Sequence, residues 1–189
     1  MSQLARQVFS ISDYVELEDL SVIKHEFLDG VVYAMAGGSP EHAAVAGNLI
    51  RLLGVQLEGR RCRVFTSDLR IRVQSTGLIT YPDTSVICEQ MELDPEDPRG
   101  HTALNPTLLV EVLSPSTEEY DRGEKLTHYK RIPSLREVML VAHDERRVDV
   151  WRRTGERWTQ LAFRGEEAVA LESLPCTLAL SEIFHDPLR

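Results

Sequence analysis

TLLVEVLSPSTEEYDRGEKLTHYKR, residues 107–131, passes from an apolar run into a charged one. Residues 107–113 are almost wholly apolar, as a strand buried on both faces would be. SPST at 114–117 breaks that strand and offers an N-cap, so the pattern predicts a helix to about Arg131, stopped by Pro133. Inside the strand stands Glu111, a carboxylate where strands normally exclude unpaired charge. It needs a partner: a basic side chain, a hydrogen-bond network or a metal ion.

Upstream, LITYPDTSVIC at 78–88 reads as a strand with a second carboxylate, Asp83, at a boundary marked by Pro82. RVFTS (63–67) and LRIRV (69–73) read as further strands. EHAAVAGNLIRLLGVQLEG carries Val45, Leu49, Leu52 and Leu53 at helical spacing and ends at Gly59. In KHEFLDGVVYAM (24–35), Asp29-Gly30 between apolar runs signals a hairpin, and SISDYVELED (10–19) reads as a short capped helix. The acidic segment 89–106 holds Pro95, Pro98 and Pro106 and is expected as a surface loop. Downstream, EVMLVA (137–142), RVDVWRR (147–153) and RWTQLAF (157–163) read as strands, with a short helix near 181–184. The order implies an α/β (α+β) domain over residues 1–189, its core about 10–184: a mixed sheet flanked by helices, with an N-terminal hairpin and extra C-terminal strands.

The 189 residues, 42% hydrophobic, suffice for one core. Cys62, Cys88 and Cys176 are odd in number, widely spaced and without a C-x-x-C pair, so neither a disulfide framework nor a zinc knuckle is expected. The N-terminal MSQLARQVFSISDY lacks a signal-peptide core, and no run approaches the roughly 18 apolar residues of a membrane span. A cytoplasmic protein is expected. The net charge of −9 argues against a coat protein that relies on phosphate neutralisation, though not against a nucleic-acid enzyme. Basic clusters at 60–63, 70–72 and 145–153 read by default as solvated faces.

If the strands bearing Asp83 and Glu111 pair, their carboxylates can converge on one point. A hard divalent cation accepts such ligands; Mg²⁺ characteristically takes one or two and completes its shell with water and phosphate oxygens. Lys125, in the helix that follows Glu111, would add positive charge or orient an attacking water. The plainer alternative pairs Lys125 with Asp121 as an i,i+4 salt bridge, with Tyr129 on the same face. Arg70 or Arg72 is a candidate partner for Glu111. The six histidines form no zinc-hydrolase pattern, and no G-x-S-x-G, P-loop or dinucleotide fingerprint occurs.

PD at 82–83, EVLSPST at 111–117 and D-x-x-x-K-x-x-x-Y at 121–129 resemble the signature of the PD-(D/E)XK nuclease superfamily. More narrowly they resemble the Uma-type family of proposed bacterial restriction endonucleases, first catalogued as a domain of unknown function. HEFLDGVVYAMAGGSPEH at 25–42 matches that family's N-terminal pattern. The superfamily expects lysine at 113, where this chain has Leu113; Lys125 is its match for a lysine displaced onto the following helix. The resemblance implies a restriction-endonuclease-like fold. It also implies Asp83, Glu111 and the Val112 carbonyl as ligands of Mg²⁺ or Mn²⁺, Lys125 as water-positioning group and Glu26 as auxiliary acid, with His42, Tyr129 and Asp121 lining the site.

The leading expectation is a metal-dependent endonuclease acting on DNA. The alternative is a non-catalytic nucleic-acid-binding or assembly module of the same fold, its acids neutralised by Arg70, Arg72 or Lys125. A glycosidase fits the acid pair but not the 6% aromatic content. An exposed edge of the C-terminal strands would allow a homodimer.

Overall fold

Ser10 opens the first helix in the computed structural model, which describes residues 8–188. The signal-peptide expectation falls partly on residues 1–7, outside the described residues. The Ser10 hydroxyl accepts from the Asp13 N–H while the Asp13 carboxylate accepts from the Ser10 N–H, a capping box that starts α1 (Ile11–Leu20). Asp29 and Gly30, with φ of 50° and 77°, turn β1 (His25–Leu28) into β2 (Val31–Ala34), as their pairing in the sequence implies. Ser39 caps α2 (Pro40–Gln56), whose Val45, Leu49, Leu52 and Leu53 are all buried. No helix among the described residues is long and apolar enough to cross a membrane.

The strands are β3 (Cys62–Thr66), β4 (Arg70–Val73), β5 (Leu78–Thr80), β6 (Thr84–Cys88), β7 (Thr102–Ala103), β8 (Leu108–Leu113), β9 (Glu137–Ala142), β10 (Arg147–Thr154), β11 (Arg157–Arg164), β12 (Ala168–Ala170) and β13 (Thr177–Ala179). The run 78–88 is two strands rather than one. Pro82 lacks a donor and interrupts the ladder, so β5 and β6 enter different sheets. A six-stranded sheet runs β11-β10-β9-β8-β6-β3 and a five-stranded one β2-β1-β5-β4-β7, with β12 and β13 paired separately. β8 lies parallel to β9, antiparallel to β6 and fully buried, as its apolar sequence requires.

Alternation along β8 divides the interior. Val110 and Val112 pack with the α2 leucines, whereas Leu109 and Leu113 pack with Ile71 and Leu78 of the second sheet and with Leu126 and Tyr129. The segment after β8 is not the uniform helix its sequence suggests. α3 (Glu118–Tyr120) and α4 (Leu126–Tyr129) flank a π-helical turn over Asp121–Lys125. Its wider winding shifts the helical phase, and both Asp121 and Lys125 turn inward instead of onto a solvated face.

Three further expectations are corrected. Cys62 and Cys88 stand opposite each other in the β3–β6 register and form a disulfide, while Cys176 is free and buried. Their wide sequence spacing concealed the pairing, and cysteine usage no longer supports the expected cytoplasmic location. Arg70 and Arg72 are buried rather than solvated, and the acidic loop is partly internal: Arg70 pairs with Asp97 at 2.9 Å and Arg72 with Asp94 at 2.8 Å. Neither arginine is therefore the partner of Glu111.

Candidate functional site

Thr84 pairs with Val110 at the end of the antiparallel β6–β8 ladder, and Asp83 stands just outside it, in the bend after Pro82. Glu111, between Leu109 and Leu113, belongs to the face of β8 overlooked by the π-turn and the second sheet. The Asp83 Oδ2 accepts from the Val112 N–H at 2.7 Å, extending the pattern where backbone pairing has stopped. It also lies 3.2 Å from His42 Nε2. His42 sits in the first turn of α2, its backbone N–H donating to the capping Ser39 hydroxyl. The Asp83 carboxylate raises the His42 pKa; burial opposes this, and Val112 and Glu111 reinforce it.

Lys125 Nζ is 2.9 Å from Glu26 Oε1, 3.0 Å from Glu111 Oε1 and 3.4 Å from Asp121 Oδ1. The i,i+4 contact is thus the longest of three, and the plain helix salt bridge does not describe this residue. The Tyr129 hydroxyl donates to Glu111 Oε1 and the Thr80 hydroxyl to Glu26 Oε1. Five elements therefore meet here: β1, β5, β8, the π-turn and α4.

Three acids surround this one ammonium, and the electrostatics follow. Burial pushes the Glu111 carboxyl up to about 8; Lys125 opposes that shift, while Asp121 and Asp83 add to it. Burial also raises Asp121, against the pull of Lys125. For Lys125 burial acts downward, but Glu111, Tyr129, Glu26 and Asp121 together hold it well above its ordinary value. The lysine stays charged, and the carboxyl beside it holds its proton more tightly than an ordinary glutamic acid. Burial, then the charge of Glu26, raises half-buried Tyr120 as well.

All the residues singled out from the sequence, Glu26, His42, Asp83, Glu111, Val112, Asp121, Lys125 and Tyr129, are brought into this region. Thr80 and Tyr120 were not anticipated: a lone threonine ending one strand and a tyrosine on a charged helix carry no local signal. The Val112 main chain, expected to offer a carbonyl ligand, is engaged through its N–H with Asp83 and lies beside His42.

The donor set suits a hard divalent cation. Asp83 lies near enough to Glu111 to raise its pKa, and an excess of buried acid favours added positive charge. Among the described residues no group of three or more His, Cys, Asp and Glu side chains forms a ready cage. A cation held here would draw on water and substrate oxygens, the usual habit of Mg²⁺.

Comparison with known proteins agrees with this architecture. Residues 11–181 match the family model Uma2, described as "Putative restriction endonuclease". The chain is 35% identical over 178 residues to the uncharacterized protein slr1290 of Synechocystis sp. (strain ATCC 27184 / PCC 6803 / Kazusa), covering 93% of this chain and 91% of that one. It is 31% identical over 163 residues to sll1609 of the same organism, covering 86% and 91%. A crystal structure described as "a putative nuclease belonging to DUF820" from Anabaena variabilis superposes with a TM-score of 0.70 at 19% identity, over 87% of this chain and 91% of that one. The fold is accordingly the restriction-endonuclease-like α+β arrangement, and the chain belongs to the Uma2 family.

Proposed function

We propose that this protein is an endonuclease that hydrolyses phosphodiester bonds in DNA with Mg²⁺ or Mn²⁺. The observation that carries the reading is the gathering of Asp83, held on the Val112 N–H, beside Glu111, with the buried Lys125 ammonium 3.0 Å from Glu111. Asp83 and Glu111 would hold the cation, which lowers the pKa of water and offsets charge on the phosphate. Tyr129 orients Glu111, and His42 orients Asp83. Lys125 turns its charge toward the reacting phosphate and positions the attacking water, while Glu26 fixes its ammonium. A cytoplasmic location would bring it to a DNA substrate. β11 is an edge strand with a largely exposed surface, and pairing across it would join two copies so that two sites meet two DNA strands.

Single-turnover cleavage of plasmid and single-stranded DNA, with Mg²⁺ and with Mn²⁺, tests this. Wild type should cleave, and both Glu111→Gln and chelation should abolish cleavage. One observation favours a second reading, a non-catalytic module of the same fold: Asp83 and Glu111 already have internal partners in Val112, His42, Lys125 and Tyr129. Absence of wild-type cleavage under every condition would select it.

A further inference from the structure

Glu26 is the most open of the three acids around Lys125: its side chain is 12% exposed, against 5% for Glu111 and 6% for Asp121. Its neighbour across the β1–β2 hairpin is Tyr33, directly opposed in the register. Directly opposed residues share a face. Phe27 and Val32 of the same hairpin pack with Tyr14 and Val15 of α1. Alternation therefore sends Glu26 and Tyr33 to the other face, where Leu28 joins the cluster of Leu126 and Tyr129 and Glu26 meets Lys125.

Tyr33 nevertheless stays in solvent. β2 is the edge strand of the five-stranded sheet, and Tyr33 is 49% exposed. It begins an exposed strip: apart from half-buried Met35, every residue from Tyr33 to Pro40 is exposed. The far end of the strip passes so close to His42 that a Cβ at Gly38 would stand 2.6 Å from His42 Nδ1, and His42 in turn meets Asp83. The strip thus runs from the partner of Lys125 to the partner of Asp83, and Tyr33 is its one aromatic ring.

We infer that Tyr33 is a substrate contact of the proposed nuclease, its ring stacking on an unpaired nucleobase beside the scissile phosphate, so that the substrate is DNA with unpaired nucleotides at the point of cleavage. A half-exposed ring adds little burial to the fold. One strand spacing, about 4.8 Å, separates its strand from that of the carboxylate fixing Lys125, which puts the ring within reach of the nucleoside on a phosphate held there. Charge favours stacking over phosphate attraction: at −9 the chain gains little from phosphate neutralisation, whereas base–aromatic stacking supplies affinity without a cation. In a duplex the faces of each base are covered by its neighbours, so a stacking ring selects a nucleotide that has left the helix.

This inference rests on the nuclease reading, and the experiment separates the two. Fluorescence anisotropy is recorded for a short labelled oligothymidylate, for an abasic strand of the same length and for the duplex of the first, with Ca²⁺ in place of Mg²⁺, using wild type, Tyr33→Phe and Tyr33→Ala. Thermal melts establish that all three are equally folded. Wild type should bind the oligothymidylate at least about fivefold more tightly than the abasic strand, the lower end of the gain from stacking one base, and more tightly than the duplex. Tyr33→Phe should keep the preference for bases and Tyr33→Ala should lose it. Wild type that does not distinguish the strands, Tyr33→Ala that still does, Tyr33→Phe that behaves like Tyr33→Ala, or a duplex bound as tightly as the single strand would overturn the inference while leaving cleavage by wild type untouched. Base-dependent binding through Tyr33 without cleavage in Mg²⁺ or Mn²⁺ would uphold the contact and remove the nuclease reading. No binding of any of the three would overturn the contact, and absence of cleavage beside it would remove the nuclease reading as well.

Discussion

Two of the buried ionic clusters among the described residues are built on opposite principles. In the first, Arg70 and Arg72 meet Asp97 and Asp94, guanidinium against carboxylate, with the half-exposed Glu96 as a third acid at the rim. Burial alone would raise the Asp97 carboxyl, but the Thr102 hydroxyl, Arg70 and two backbone N–H groups hold it below its ordinary value. The cluster stabilises its own charges. In the second, Glu26, Glu111 and Asp121 crowd one lysine, and the Glu111 carboxyl rises to about 8. That cluster is left short of positive charge. Balanced ion pairs fasten a loop to a sheet, whereas an acid excess is suited to receive a cation or exchange a proton.

The largest expected effect tests the balanced cluster. Arg70→Met strands a buried Asp97 and should cost about 3–5 kcal/mol in urea unfolding, the usual result of stripping one partner from a buried pair. Cleavage per folded molecule should not change; a loss there would merge the two clusters into one machine. Next comes Lys125→Met, which should slow cleavage by roughly 10²-fold or more as one positioned electrostatic group is lost. Its stability cost should fall short of that of Arg70→Met, because Glu111 can keep its proton when the ammonium goes. Asp121→Asn, removing the longest of the lysine's three contacts, should cost only a few tenths of a kcal/mol. Equal losses of activity from both substitutions would return Lys125 to a helix-pairing role.

The balanced cluster should also show in acid. The folded pKa of Asp97 lies below its unfolded value, so its stabilisation is complete above about 3.8 and is lost as the pH falls toward the lowered folded value. Unfolding midpoints between about pH 5 and pH 2 should show this acid limb, and Asp97→Asn should flatten it. Glu111→Gln should separate stability from activity. Because burial already disfavours the charged carboxylate, the amide should leave stability unchanged within about 1 kcal/mol or raise it slightly, even as cleavage disappears. Unfolding of that variant would mark Glu111 as a structural partner and erase the contrast between the clusters.

Local signals were enough for much of the fold. Asp29-Gly30 announces its turn because both positions need positive φ, and the leucine spacing of α2 needs no partner to be read. The apolar run at 108–113 shows burial on both faces wherever its neighbours lie. Glu111 stood out for the same reason: a carboxylate in such a strand must be compensated by something. Only tertiary structure decided what compensates it. Arg70 and Arg72 were equally plausible partners by distance along the chain, yet the break at Pro82 sends β5 into the second sheet, where the arginines of β4 meet the acidic loop. The π-turn is likewise invisible in DRGEK, and it is that turn which takes Lys125 out of solvent and points it at Glu26 and Glu111. The Cys62–Cys88 pairing depends on a register between strands separated by another sheet's worth of chain. Sequence by itself determined which groups cannot stand alone, because burial and backbone preferences act residue by residue. Which group answers which was left to the assembled structure, because pairing energy depends on distance in space, and that is set only when the sheets and the helix phase are fixed together.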